Sequence, residues 1–400
     1  MIALPTLLDD ARALHPDLVR IRRDLHRNPE LGLELPRTQE RVVSELDGLG
    51  LEVGTGAEIS SVTAVLRGSR PGPTVLLRGD MDALPVAEET GLDFAAGNGR
   101  MHACGHDLHA TMLLGAAKLL APRRDQLDGD VVFMFQPGEE GYDGAGRMLD
   151  EGLLSVSGRK PDAAYALHVI SGLERGLFTT KGGPMLSAAN RLEVTVRGRG
   201  GHGSAPFRAL DPVPVACEMV LALQTFVTRR FDVFDPVVLT VGTIHAGTRD
   251  NVIPDEVTFA ATVRCFSRRA QAVVADGAVQ VCRGIAAAHG AEVRAEFVEQ
   301  YPVTVNDESE AEFVADAVRE LHGEHRFATA PKPISASEDF SRVLEEVPGA
   351  MISLGACPPD RDPARAPDNH SPQAVFDDEV LADGAAAYAA LAVQRQEQPA

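Results

Sequence analysis

The feature that most constrains this chain is a change in strand texture near residue 188. Before it, Val62-Thr63-Ala64-Val65-Leu66, Thr74-Val75-Leu76-Leu77, Val131-Val132-Phe133-Met134-Phe135 and Ala163 to Leu167 are short apolar runs bounded by Gly and Pro. Thr111 to Ala121 is a longer run of good helix formers, stopped by Pro122. Strands apolar on both sides must be covered on both faces, and their alternation with helices predicts a mostly parallel sheet with flanking helices. After residue 188, Leu192-Glu193-Val194-Thr195-Val196 alternates apolar and polar, as a strand with one wet face does. Asp211-Pro212 then opens a helix running to about Arg230, with Asp as N-cap and Pro in the first turn. Strands over Val237 to Ile244 and Val257 to Val263, a helix over Arg269 to His289 and a strand over Ala291 to Val298 complete the order β-α-β-β-α-β. The expectation is an α/β domain in two pieces, 1–187 and 301–400, interrupted by an inserted α+β, ferredoxin-like domain at 188–300.

Composition narrows the function. Lys plus Arg number 38 and Asp plus Glu 58, a formal charge of −20, so phosphate backbones and anionic lipid surfaces would repel the chain. No apolar run approaches the roughly 20 residues of a membrane helix. The segment Met1 to Arg12 carries Asp9 and Asp10 rather than a basic-then-apolar leader. Five cysteines without a CxxC pair argue against a disulfide framework. A cytoplasmic protein with a small-molecule substrate, and no nucleic-acid or membrane partner, is the expectation. Cys217 and Cys282, in predicted helices among apolar neighbours, read as small core residues. His322, near a helix end, reads as a partner of the helix dipole.

In parallel sheets, ligands collect at the carboxyl ends of strands. There the chain places Arg78-Gly79-Asp80-Met81-Asp82, Gln136-Pro137-Gly138-Glu139-Glu140 and His168. Met101-His102-Ala103-Cys104-Gly105-His106-Asp107-Leu108-His109 directly precedes a helix, and Asn369-His370-Ser371-Pro372 follows a Pro-rich stretch. Taken singly, each has a structural reading: adjacent glutamates form a solvated face, and a lone histidine ends a strand. Together they bring thiolate, imidazole and carboxylate to one sheet edge. That mixture suits zinc, manganese, cobalt or nickel better than magnesium or calcium.

These motifs resemble the M20 metallopeptidase family, in particular its amidohydrolase branch of N-acyl-amino-acid, hippurate and auxin-conjugate hydrolases. The resemblance runs from Leu25-His26-Arg27-Asn28-Pro29-Glu30 through Asp80-Met81-Asp82-Ala83-Leu84-Pro85, His102–Asp107 and Gln136–Gly141. It continues through Gly200-Gly201-His202, Asn251-Val252-Ile253-Pro254 and Ser337-Glu338-Asp339-Phe340 to His370-Ser371-Pro372.

The resemblance implies two divalent transition-metal ions per subunit, held by Cys104, His106, Glu140, His168 and His370, with Cys104 bridging. It implies Glu139 as general base, His202 as stabiliser of the tetrahedral oxyanion, and Asn251 and Arg264 as holders of the substrate carboxylate. The wider family has a metal-binding His at the position of Asp80, so Asp80 and Asp82 are expected to support ligands rather than bind metal. His102 and His109 are read either as such supports or as helix-start packing. No role is assigned to Ser337–Phe340. The implied activity is hydrolysis of N-acyl-L-amino acids to a carboxylate and a free amino acid by a homodimer joined through the inserted domain. The alternatives are a dipeptidase or aminopeptidase, an N-acetyl-diaminopimelate-type deacetylase, or a non-catalytic ligand-binding relative.

Overall fold

The computed structural model describes residues 2–397. It contains two compact units, the first formed by the chain up to Met185, by Val305–Lys332 and by the chain from Asp339 on; the second is Leu186–Thr304 with Pro333–Glu338.

In the first unit an eight-stranded sheet runs in the order Glu52–Thr55, Val62–Leu66, Val131–Gln136, Val75–Asp80, Ala163–Ile170, Gly349–Gly355, Phe178–Thr180, Phe327–Thr329. Its four central strands, from Val131–Gln136 to Gly349–Gly355, are parallel, and three of them are buried along their whole length, as strands covered on both faces are. Val62–Leu66 instead runs antiparallel to Val131–Gln136. The connection over 67–74 is too short for the helical crossover that a parallel return needs. Helices Leu4–Arg27, His106–Leu120 and Val380–Glu397 pack on one another. Every residue of His106–Leu120 except Lys118 is buried, so this helix is covered all round.

Two boundaries move functional residues. The helix expected from Thr111 begins at His106, because its first turn carries His106, Asp107 and His109 rather than an apolar face. The strand expected to end at Leu167 continues to Ile170, paired with Gly349–Gly355, which places His168 inside a strand. His322 does not serve the helix dipole from the surface: its ring is buried and stacks on Phe178 at 5.0 Å, with Asp383 Oδ1 3.8 Å from Nδ1.

The second unit is a four-stranded antiparallel sheet in the order Val237–Ala246, Glu256–Cys265, Ala188–Arg197, Glu292–Tyr301. Helices Pro212–Arg230 and Arg268–His289 pack on it. Both start at side-chain caps, Asp211 accepting from Val213 N–H at 3.0 Å and Ser267 from Ala270 N–H at 2.9 Å. Cys282 is in the core, but Cys217 is exposed. The buried stripe of its helix is Val215, Ala216, Met219 and Leu223, and position 217 falls off that stripe. Among the described residues no helix is long and apolar enough to cross a membrane.

Candidate active site

The first unit gathers the strand-end residues around Cys104. Its Sγ lies 3.4 Å from His168 Nε2 and 3.2 Å from His370 Nε2, and His370 Nε2 is 3.2 Å from Glu140 Oε1. Donor atoms of Cys104, His106 and His168 lie within 4.8 Å of one another, and so do those of Cys104, Glu140 and His370. Two triads therefore meet at one sulfur.

Local structure aims these donors. His168 Nδ1 faces the Val169 carbonyl at 2.9 Å, so Nδ1 carries the ring proton and Nε2 is left as a donor atom. Asn369 binds three segments together: its Nδ2 donates to the carbonyls of Cys104 (3.1 Å) and Val169 (3.0 Å), and its Oδ1 accepts from Ser171 N–H at 3.0 Å. His370, the next residue, sits at φ 72°, in the left-handed region, with its N–H on the Ala103 carbonyl at 2.8 Å. Asp82 accepts the backbone N–H of Glu139 at 3.1 Å on one oxygen and that of Glu140 at 3.0 Å on the other. The turn into this pair requires Gly138 at φ 73°, where a Cβ would come within 2.5 Å of Leu33.

Asp80 and Asp82 flank the buried His106 ring, Asp80 Oδ2 at 3.5 Å from Nε2 and Asp82 Oδ1 at 3.4 Å from Nδ1. His109 is excluded as a ligand. Its Nε2 accepts the Val169 N–H at 2.8 Å, so Nδ1 must be the protonated nitrogen, and it meets Asp80 Oδ1 at 2.6 Å. The helix comes close enough for this because a Cβ at Gly79 would stand only 2.8 Å from the His109 carbonyl oxygen.

The electrostatics are those of a cation site. Burial opposes ionisation of the Cys104 thiol, yet His168 and His106 outweigh it and hold the thiol well below its ordinary range. Burial likewise opposes protonation of His106, but Asp80 and the Cys104 thiolate push it well above the ordinary histidine value. Hydrogen bonds to Cys104 and then Glu140 raise His370 to about 10. Among the described residues both ring nitrogens of His106 are buried without a hydrogen bond of good geometry, a costly state that a metal ion relieves. The residues fit the implied metals.

The model of peptidase family M20/M25/M40 matches residues 76–394. The chain belongs to this family. Its M20 relatives are metal-dependent hydrolases acting on amide bonds, and this chain is an enzyme of that kind. It is 36% identical over 395 residues to thermostable carboxypeptidase 1 of Saccharolobus solfataricus, covering 97% of this chain and 98% of that one. It is 33% identical over 385 residues to the N-acetylcysteine deacetylase of Bacillus subtilis, covering 96% and 97%. The crystal structure of a dinuclear metal binding peptidase of the M20 family from Bacillus subtilis matches with a TM-score of 0.83 at 30% identity, covering 97% of this chain and 100% of that one.

His202, Asn251 and Arg264 lie in the second unit. His202 pairs with Val252 in a two-stranded ladder, and the neighbouring Gly203 N–H donates to the Asn251 carbonyl at 2.9 Å. The exposed His202 ring accepts the Ser204 N–H on Nδ1 at 3.1 Å, so Nε2 carries the proton. Arg264 is half-buried and donates to Ser337 Oγ at 2.8 Å. Sequence reasoning missed Asn369, and it expected Asp82 to support ligands without foreseeing the Glu139 and Glu140 amides it holds. Their segments were noted, but partners 57 to 265 residues away leave no local signal.

Proposed function

We propose that the protein hydrolyses N-acyl-L-amino acids to a carboxylate and a free amino acid, with two divalent transition-metal ions held by Cys104, His106, Glu140, His168 and His370. The observation that carries this reading is the pair of donor triads sharing Cys104 Sγ. When bound, such ions supply Lewis acidity to an amide carbonyl and make a water acidic near neutral pH. Glu139 is the proposed general base, taking a proton from water and returning it to the leaving nitrogen. Glu140 belongs to the triad with Cys104 and His370, whereas the groups that include Glu139, with His106 and Glu140 and with Glu338 and Asp339, leave out the shared sulfur. The shared Asp82 cradle fixes their backbones, so the two carboxylates can serve different ends.

His202 is proposed to donate its Nε2–H to the tetrahedral oxyanion, a role its tautomer allows. Asn251 and Arg264 are proposed to hold the substrate carboxylate, Arg264 through its paired donors. The domain boundaries proposed from sequence, 1–187 with 301–400 and 188–300, give the second part the role of lid and dimerisation domain. Support for the dimer comes from the edge strand Val237–Ala246, where Val238 and Ile244 are exposed. A homodimer mass by light scattering is the expected result.

The deacetylase relative is named for an N-acylated amino acid, which supports this substrate class. The carboxypeptidase relative favours a second reading, cleavage of peptides at the carboxyl end. Amino-acid release from N-acetyl, N-benzoyl, long-chain and indole-acetyl amino acids, beside dipeptides, separates the two for protein loaded with zinc, manganese, cobalt or nickel. Chelator-sensitive release from acyl substrates is expected, and hydrolysis of dipeptides alone overturns the first reading. Glu139→Gln should lower kcat by about 10²–10⁴-fold at unchanged metal content; retained turnover removes Glu139 as the base.

A further inference from the structure

We propose that Asp339 is a positioning residue for the metal centre, acting through Gln136 and Arg78 on Asp80; this rests on the metal-centre reading above. Asp339, Arg78, Gln136, Asp80, His106 and His109 are all fully buried in the first unit. Both Asp339 oxygens accept from Gln136 Nε2 at 2.8 Å, and Oδ1 lies 3.4 Å from Arg78 Nη2. Arg78 Nε donates to Gln136 Oε1 at 2.9 Å, and its Nη1 meets Asp80 Oδ2 at 2.6 Å. Asp80 ends the relay on His109 Nδ1 at 2.6 Å and beside His106 Nε2 at 3.5 Å.

A guanidinium is a planar fork, so fixing one edge fixes the other. Asp339 and Gln136 grip the Nε and Nη2 side of Arg78 and thereby hold Nη1 on Asp80. Asp80 in turn faces the ring that follows it in the relay, His106, at 3.5 Å. The same carboxylate reaches the other arm of the centre. Gln136 is the last residue of the strand leading into Glu139 and Glu140, and Asp339 Oδ2 also accepts the Ala145 N–H at 3.0 Å, beyond that pair. One side chain thus braces the imidazole arm and the carboxylate arm together. This gives Asp339, within a motif to which sequence reasoning assigned no role, a function in the chemistry of the site. Partners that orient metal ligands in this way cost about ten- to a hundredfold in affinity when removed.

The test is a cobalt(II) titration of metal-free full-length protein, followed by the thiolate-to-cobalt absorption that Cys104 would produce. Asp339→Asn keeps the shape of the side chain and removes its charge. It is expected to weaken cobalt binding about ten- to a hundredfold and to shift the absorption band, with the fold intact by circular dichroism. Gln136→Met removes the Gln amide and leaves the charges; it is expected to loosen binding in the same direction by less, and it carries the test should Asp339→Asn fail to fold. Glu310→Gln is the control, since it weakens another buried ion pair of the same unit, with Arg395 at 3.1 Å. Unchanged affinity and band in the folded Asp339 or Gln136 variant overturn the proposal, and so does equal loosening by Glu310→Gln. Wild-type protein that develops no thiolate band overturns the metal-centre reading itself, and the proposal with it.

Discussion

The two sheets of this molecule solve burial differently. In Val75–Asp80 and Val131–Gln136 every residue is buried, whereas Glu256–Cys265 alternates, with Val257, Phe259, Ala261, Val263 and Cys265 inside. A strand covered on both faces carries a polar side chain along its length only where buried partners meet it, as Gln136, Asp80 and Asp339 meet Arg78, so most of its chemistry stands at its end. There the chain turns to Asp80, Asp82, Glu139 and Glu140. A strand with one wet face can carry polar residues along its length, as Arg191 and Glu193 do with an ion pair of 3.1 Å. The lesson is that coverage of a sheet decides where its reactive residues can stand.

The sharpest way to break this comparison is at the strand ends of the first unit. Cys104→Ala removes the donor common to both triads and is expected to abolish metal-dependent turnover, while Thr262→Ala, on the wet side of the second sheet, leaves kcat/KM unchanged. Stability should divide the sheets as well. Leu76→Ala and Leu77→Ala are neighbours facing opposite sides, and each is expected to cost about 2–5 kcal/mol in urea unfolding. In the second unit Val263→Ala should cost about 2 kcal/mol, but the adjacent Thr262→Ala less than about 0.5 kcal/mol. Equal costs at 262 and 263 would mean that the outer face of that sheet is covered.

A smaller effect concerns acid. Burial lowers the His322 pKa to about 4, against the partial opposition of Asp383. Because the folded value lies below the unfolded one of about 6.5, the stability linked to this neutral histidine is fully present above pH 6.5 and is lost as pH falls towards 4. His322→Gln is expected to flatten the pH dependence of melting temperature across that window and to leave it unchanged above pH 7. The smallest effect is local: chelation should speed hydrogen exchange at 101–106, 139–140 and 369–370 and leave the strands of the second unit as they were.

Most of the fold was legible because texture reports coverage. Val62–Leu66 and the helix capped at Asp211 match the expectation residue for residue, since Gly, Pro and Asp mark their ends. The direction of Val62–Leu66 was not legible, because pairing depends on where the loop over 67–74 leads. The crowding of thiol, imidazole and carboxylate residues near strand ends was legible in the sequence, whereas the choice of proposed metal donors among them came from the M20 resemblance. What orients them was hidden: Asn369 reaches Cys104, and Asp339 reaches Gln136, across 265 and 203 positions. Local patterns carry no trace of such meetings. Cys217 shows the opposite failure, apolar neighbours in sequence but a place off the buried stripe of its helix.

The left-handed backbone of His370 has a consequence for anyone improving this protein. At φ 72° a side chain with a Cβ costs about 1–2 kcal/mol, and glycine would sit there at ease. Replacing His370 with glycine would relieve that strain and at the same time remove its contacts with Cys104 and Glu140, and with them the metal ligand proposed here. On that proposal backbone ease and ligand supply pull in opposite directions at this single peptide unit, so directed evolution of the enzyme needs a catalytic screen beside a heat screen.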